Sequence, residues 1–265
     1  MAISAMLDAF ILGLVEGLTE FLPVSSTGHL LLAEHWLGTH RSEAFNVLIQ
    51  VGPILAVTVV FWKSIATLLF GLKDPVVRDE FVKLAVCVGI IGVGGLLMKR
   101  LGLELPETAR PVAWALLVGG LVIFGVEAVA KRRELDATVT WAAVFAVAAG
   151  QLLSAAFPGT SRSGAAIMAA LLLGVTRPAA VRFAFLSGIP IMLAAGALEL
   201  KHAAKAGELG QLMALDAGLA FVTATLVAWV SVVWLMRWVQ VRDFRCFAWY
   251  RLILGAAILF GLAGA

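Results

Sequence analysis

The sequence predicts an all-α integral membrane protein made of two inverted-topology repeats, each a re-entrant helical hairpin plus three transmembrane helices. Three observations carry that prediction. First, hydrophobic residues make up 62% of the 265-residue chain and charged residues 14%, against roughly 25% charged in an average soluble domain. A water-soluble protein of this size cannot hide so much apolar side chain. Second, the apolar residues fall in runs close to the ~20 residues a helix needs to cross the hydrocarbon layer. Third, two further apolar runs are broken by Pro-led polar loops that resemble each other, about 136 residues apart.

The same composition sets other classes aside. Disorder requires low hydrophobicity and high charge, the reverse of what is seen. Two cysteines, Cys87 and Cys246, cannot make a disulfide framework, a CxxC redox pair or a zinc site. The net charge of +3 comes from Lys and Arg beside apolar segments. That reads as orientation signal and headgroup contact, not nucleic-acid binding. The first apolar stretch has no basic leader and soon reaches Glu16 and Glu20, so it is expected to belong to the fold rather than to a cleaved signal peptide.

In chain order, the run Ala9–Trp36 comes first, interrupted by Glu16, Glu20 and Pro23-Val24-Ser25-Ser26-Thr27-Gly28-His29. Pro ends the first arm, and a polar loop and a shorter second arm follow. Irregular backbone at membrane depth needs surrounding protein or a water-filled cavity, so this run is a re-entrant hairpin. Three spans follow: Phe45–Trp62, Leu84–Met98 and Pro111–Ala130. The second is short, with Lys83 and Lys99 placed to snorkel at its ends. Val139–Val175, interrupted by Pro158-Gly159-Thr160-Ser161-Arg162-Ser163-Gly164, is the second hairpin. Phe183–Leu200, Leu215–Trp238 and Phe247–Gly264 are the remaining spans, the last with Arg251 in its first turn.

Gly52-Pro53-Ile54-Leu55 has its counterpart in Ile189-Pro190-Ile191-Met192. The chain is therefore one membrane domain, residues 1–265, with repeats 1–130 and 131–265. An odd number of crossings per half turns the second half upside down, and inverted repeats with broken helices build sites near the bilayer midplane. Lys and Arg concentrate in 72–83, 131–136, 237–246 and at Arg177 and Arg182, which should mark the cytoplasmic side. Hairpin one then enters from outside and hairpin two from inside. Gly13, Gly17, Gly92, Gly94 and Gly95 are expected to permit close helix packing.

Glu16 and Glu20 stand at i and i+4 and project from one face of their arm. A carboxylate at membrane depth costs about 2.5–3.5 kcal/mol even on the lenient insertion scale. Two together repel unless a proton or a cation lies between them. They read as a metal site or an acid/base pair facing a cavity, against the alternative of an interfacial pair reaching water. Ser25, Ser26, Thr27, Ser161 and Ser163 sit where helix N-caps belong. Capping is compatible with anion binding, because a helix N-terminus offers free N–H groups and a partial positive charge. Arg162, at a loop tip between apolar arms, must find an anion. Phosphate fits its planar fork, and a structural pairing with Glu16 or Glu20 is the competing account. His29 lies three residues after Ser26; near a hydroxyl it is suited to proton transfer. Glu127, Asp8 and Asp216 fall near span ends, where snorkelling is the default.

Together these residues suit phosphoryl chemistry on a substrate whose tail stays in lipid. Carboxylates hold a divalent cation, Arg162 and backbone N–H groups stabilise developing charge, and a serine attacks phosphorus while His29 handles its proton.

At these residues the sequence resembles the bacitracin-resistance type of undecaprenyl-diphosphate phosphatase. Its signature of a (Glu/Gln)-x-x-x-Glu element, a P-V-S-S-T-G-H loop and a P-G-x-S-R-S loop is met by Glu16-Gly-Leu-Thr-Glu20, Pro23 to His29 and Pro158 to Ser163. The likeness extends over nearly the whole chain. It implies an enzyme of the bacterial inner membrane, its site opening to the periplasm, that hydrolyses undecaprenyl diphosphate and recycles the lipid carrier of cell-wall synthesis. It also implies a divalent cation, Mg²⁺ or Ca²⁺, on Glu16 and Glu20, with Ser26 as nucleophile and with His29 and Arg162 in catalytic roles. Ser25, Thr27, Gly159, Ser161, Ser163 and Arg162 are then the substrate-binding set. The sequence departs from the family at Ala166, where Thr is common, and Ser25 and Ser26 both match the nucleophile. The expected partners are a polyprenyl diphosphate lipid and the bilayer, with no nucleic acid; a homodimer is compatible with the sequence.

Three other functions compete. A transporter or flippase for a polyprenyl phosphate lipid would share the inverted repeat and hairpins. Lipid phosphatases with a second His as nucleophile need a His-x-x-x-Asp that is missing after Arg162. An intramembrane serine protease would lack the G-x-S-x-G elbow.

Overall fold

The computed structural model describes residues 2–103, 108–206 and 214–261. The described residues are helical apart from turns and one isolated bridge, Asp136 with Val175. In chain order the helices are α1 (Ala2–Thr19), α2 (Ser26–Leu37), α3 (Glu43–Val60), α4 (Trp62–Phe70), α5 (Pro75–Leu101), α6 (Ala109–Ala130), α7 (Trp141–Ala156), α8 (Arg162–Leu172), α9 (Arg177–Ala206), α10 (Leu215–Val241) and α11 (Arg245–Gly261).

Both broken runs form helix pairs, α1–α2 and α7–α8, with the polar loops at their tips. The first arm ends at Thr19, four residues before Pro23, in a series of turns. Among the described residues, α5, α6, α9 and α10 are long and apolar enough to cross a membrane. A fifth span counts if α3 and α4 are taken together; they meet at Phe61 with a 67° bend, which the sequence did not announce. The expected span Phe247–Gly264 corresponds to α11, and its last three residues lie outside the described residues.

Helices outrun the apolar stretches. α5 begins at Pro75, where Asp74 caps it by accepting from Val76 N at 2.8 Å, so most of the expected loop 72–83 is helical. α9 starts at Arg177 and reaches Ala206.

Packing is reciprocal between the halves. α1 runs parallel to α10, with Gly13 against Ala220 and Gly17 against Ala224. α7 runs parallel to α5, with Cys87 beside the Val144 carbonyl and Gly94 against Leu152. The first arm of each hairpin thus lies on a helix of the other half. Gly92 and Gly95 do not mark such contacts; only Ile191 comes near Gly92, and Gly95 opens on a cavity. α6 and α11 run antiparallel, Gly255 facing the Ala113 carbonyl.

Several charged groups along this frame are paired. Glu127, expected to snorkel, is fully buried, bound by Arg177 and by Phe244 N at 2.9 Å. Arg182 pairs with Glu80, and Lys83 with Asp79 at 2.5 Å. Arg251, expected in an interfacial first turn, is the largest fully buried side chain.

Candidate active site

The two hairpin tips carry the same unusual backbone. Ser25 has φ 74° and ψ 98°, and Ser161 has φ 70° and ψ 110°. They are the only non-glycine residues with positive φ among those described. Each caps its helix: Ser25 Oγ accepts from Gly28 N at 3.3 Å, and Ser161 Oγ accepts from Gly164 N at 3.2 Å. A serine in this region costs about 1–3 kcal/mol and persists only where its surroundings over-determine it. Ser26 and Arg162 thereby become the first residues of α2 and α8, at helix ends with free N–H groups.

A polar cavity of about 260 Å³ lies between the tips, with Glu20, Ser25, Ser26, Thr27, Gln151, Gly159, Ser161 and Arg162 in its wall. Ser26 Oγ donates to Glu20 Oε2 at 2.5 Å, and Arg162 Nη2 donates to Glu20 Oε1 at 2.7 Å. Glu20 therefore joins a hydroxyl on its own hairpin to the guanidinium of the other. This is the structural pairing weighed for Arg162, and the guanidinium still faces the cavity.

Glu16, one turn earlier, is 0% exposed, and among the described residues neither of its oxygens has a hydrogen-bond partner. An ionised carboxylate is not stable in that state; it holds a proton or faces a cation. An oxygen donor so placed, one turn from a second carboxylate, fits a hard divalent ion. Among the described residues no group of three or more His, Cys, Asp or Glu gathers. Glu20 reaches the cavity wall and Glu16 does not, so a cation held by the pair would take the rest of its shell, water or phosphate oxygens, from the Glu20 side.

The other expected residues divide. Thr27 and Gly159 line the cavity. Ser161 and Ser163 stitch the hairpins together, both donating to the Leu22 carbonyl, at 3.4 and 3.1 Å. Of the two adjacent serines, Ser25 is committed to its cap, whereas Ser26 holds the bond to Glu20. His29 is turned away from Ser26. Its Nδ1 lies 2.6 Å from the Ser25 carbonyl, which can only accept, so the proton sits on Nδ1. In the neutral ring Nε2 then accepts from the Tyr250 hydroxyl at 2.6 Å.

Three further residues belong to this neighbourhood. Tyr250, the single tyrosine of the chain, holds His29. Arg251 donates to the Pro23 and Gly159 carbonyls at 3.3 and 3.1 Å. Gln151, 2% exposed, donates through Nε2 to Ser187 Oγ at 2.9 Å and leaves Oε1 without a partner. A signal for Gln151 was available: it precedes Pro158 by seven residues, as Glu16 precedes Pro23. Nothing in the sequence pointed to the other two.

An apolar cavity of about 740 Å³ runs along the other face of the second hairpin, between α6, α7 and α8. Pro158 borders both cavities.

Residues 9–257 match the family described as Bacitracin resistance protein BacA. The chain is 48% identical over 254 residues to a protein named undecaprenyl-diphosphatase from Rhizobium johnstonii (strain DSM 114642 / LMG 32736 / 3841), covering 96% of each. It is 44% identical over 263 residues to a protein of the same name from Xanthomonas campestris pv. campestris (strain 8004), covering 99% of this chain and 100% of that one. Spanning both hairpins and nearly the whole sequence, these likenesses make the chain a member of the bacitracin resistance protein BacA family.

Proposed function

We propose that the protein is a membrane phosphatase that hydrolyses undecaprenyl diphosphate to undecaprenyl phosphate and inorganic phosphate, recycling the lipid carrier of cell-wall synthesis. The observation that carries the proposal is the bridge Ser26–Glu20–Arg162 across one polar cavity. The names of the relatives support it. So does the apolar cavity beside the tip, which suits a substrate whose tail remains in lipid.

The chemistry follows from the geometry. The terminal phosphate enters between the α2 and α8 N-termini, and Arg162 turns its fork from Glu20 to phosphate oxygens. Freed of that partner, Glu20 becomes a better base for the Ser26 proton. Ser26 Oγ attacks the terminal phosphorus, the anhydride P–O bond breaks, and undecaprenyl phosphate leaves. Water then cleaves the phosphoserine ester, releasing phosphate and restoring the hydroxyl. Arg162 and the helix N–H groups face the equatorial oxygens, where charge accumulates. Glu16, with Glu20, would hold a divalent cation, Mg²⁺ or Ca²⁺, which when bound neutralises phosphate oxygens. His29, oriented by Tyr250, supports the loop that carries Ser26.

The fold we infer for this work is a pair of inverted repeats, 1–130 and 131–265, supported by the matching tips and the reciprocal packing of α1 on α10 and α7 on α5. We place the enzyme in the bacterial inner membrane with its site toward the periplasm. The tips lie by Val112, Ala115 and Leu116 in the first two turns of α6, and the basic cluster Lys131–Arg133 follows its far end.

Purified protein in detergent with undecaprenyl diphosphate and Mg²⁺ should release inorganic phosphate, and Ser26→Ala should abolish it. Absence of release across a range of metals and pH, with lipid transfer in vesicles instead, would favour a flippase.

A further inference from the structure

Arg251 sits well inside α11, 1% exposed, with its guanidinium among backbone carbonyls. Nη2 donates to Ala115 O at 2.9 Å and to Gly159 O at 3.1 Å, Nη1 to Pro23 O at 3.3 Å, and Nε to Leu116 O at 3.4 Å. Among the described residues no carboxylate forms an ion pair with it. A buried guanidinium without a counter-charge is costly, since carbonyl dipoles replace only part of its hydration. Retaining one calls for a reason.

Its contacts supply the reason. Pro23 stands two residues before Ser25, and Gly159 two residues before Ser161. One guanidinium therefore grips both hairpin tips at equivalent points, immediately ahead of the two strained serines that set the helix N-termini. Two glycines make this arrangement possible. A Cβ at Gly119 would collide with the guanidinium, and one at Gly159, where φ is +90°, would come within 2.8 Å of the Val112 backbone. The preceding residue, Tyr250, fixes His29 on the first tip.

We propose that Arg251 is a positioning residue for the phosphate site: it sets the separation of the α2 and α8 N-termini so that one phosphate group meets both, and its unbalanced positive charge favours the bound anion. This rests on the phosphatase assignment, which fixes the ligand as a phosphate group. A phosphate oxygen need not touch Arg251. The residue acts through the two carbonyls, and substituting it should move the tips apart without emptying the cavity of Ser26, Glu20 or Arg162.

Three variants and two measurements test it. Arg251→Lys keeps the charge but cannot span four carbonyls; it should remain folded by gel filtration and melting temperature, with kcat down at least tenfold and KM for undecaprenyl diphosphate raised in step with the loss of phosphate affinity. Arg251→Ala should lose at least 100-fold in kcat, and millimolar guanidinium should restore at least tenfold of that, with no effect on wild type or on Ser26→Ala. Independently of turnover, inorganic phosphate should bind Arg251→Lys and Arg251→Gln at least fivefold more weakly than wild type by calorimetry. Wild-type kcat per folded molecule and wild-type phosphate affinity in Arg251→Lys would overturn the proposal while leaving the phosphatase assignment intact. If wild type binds phosphate but releases none from the lipid, the assignment fails and the phosphate measurement still decides the role of Arg251.

Discussion

Replacing Glu20 with Gln separates the roles proposed for Glu20 and His29. Glu20 accepts two hydrogen bonds, from Ser26 at 2.5 Å and from Arg162 at 2.7 Å. A glutamine has one acceptor oxygen, so it cannot keep both, and whichever way the amide turns it cannot take the serine proton. Losing a general base slows turnover by roughly 10²–10⁴-fold, which is about 3–5 kcal/mol at 1.36 kcal/mol per decade. The folding cost is smaller. The Arg162 side chain is 35% exposed and that of Glu20 only 5%, so the pair lies between the exposed and buried limits and its loss costs about 1–3 kcal/mol. Stopped-time phosphate release at saturating lipid should therefore show kcat reduced at least 100-fold in a protein whose melting temperature moves by only a few degrees. His29→Gln, by contrast, should lose less than Glu20→Gln, because its Nε2 faces Tyr250 rather than Ser26. Near-normal turnover in Glu20→Gln alongside a collapse in His29→Gln would refute this assignment and return the proton to the histidine.

Two substitutions have opposite expected signs on stability. Glu16→Leu removes a buried, unpartnered carboxylate, a group whose burial costs about 1–3 kcal/mol; melting without divalent ions should rise by roughly 2–8 °C while activation by Mg²⁺ disappears. A lower melting temperature would mean that Glu16 has a partner in the metal-free protein. Glu127→Ala strands Arg177 and the Phe244 N–H, and breaking such a buried pair costs about 3 kcal/mol. Thermal unfolding followed by fluorescence should register that loss. Activity per folded molecule should stay normal, since Glu127 lies twelve residues along α6 from Ala115, about 18 Å away; a matching loss of kcat would show the two ends of α6 to be coupled.

What could be read in advance divides by the range of the signal. Both hairpins were legible because Pro23, Pro158 and the polar residues beside them interrupt otherwise continuous apolar runs, a local pattern. The pairing of Arg162 with Glu20 was the competing account beside phosphate binding, because a guanidinium between apolar arms has few ways to be satisfied and spacing alone does not choose between a carboxylate and a ligand. Span ends were misplaced where helices continue past the apolar stretch; Asp74 capping Pro75 is a readable start signal that hydropathy alone overrides. Glu127 was assigned to snorkelling and Arg251 only to the first turn of its span, because their partners lie far along the chain: Arg177 in one case, the carbonyls of Pro23, Ala115 and Gly159 in the other. A carbonyl contact leaves no trace in residue type. His29 shows the limit of spacing arguments, for three residues from Ser26 on a helix makes contact possible and the Tyr250 hydroxyl takes the ring instead.

The scaffold and the site follow different rules. Around the frame, charges find partners: the buried Glu127 with Arg177, and the half-buried Arg182 with Glu80. At the hairpin tips the same chain tolerates two serines with positive φ, an orphan carboxylate at Glu16, an orphan amide oxygen at Gln151 and a guanidinium with no acid. Each is unfavourable alone, and random placement would scatter them. Their gathering around the two hairpin tips, the serines on the loops and the others on α1, α7 and α11, means that surrounding helices over-determine the tips, since strain persists only under such constraint. Under the proposed function a phosphate group would meet the free N–H groups at the tips, and a cation would meet Glu16. Arg162 must leave Glu20 to join the phosphate, so binding exchanges one partner of the guanidinium while the backbone of the tips stays in place.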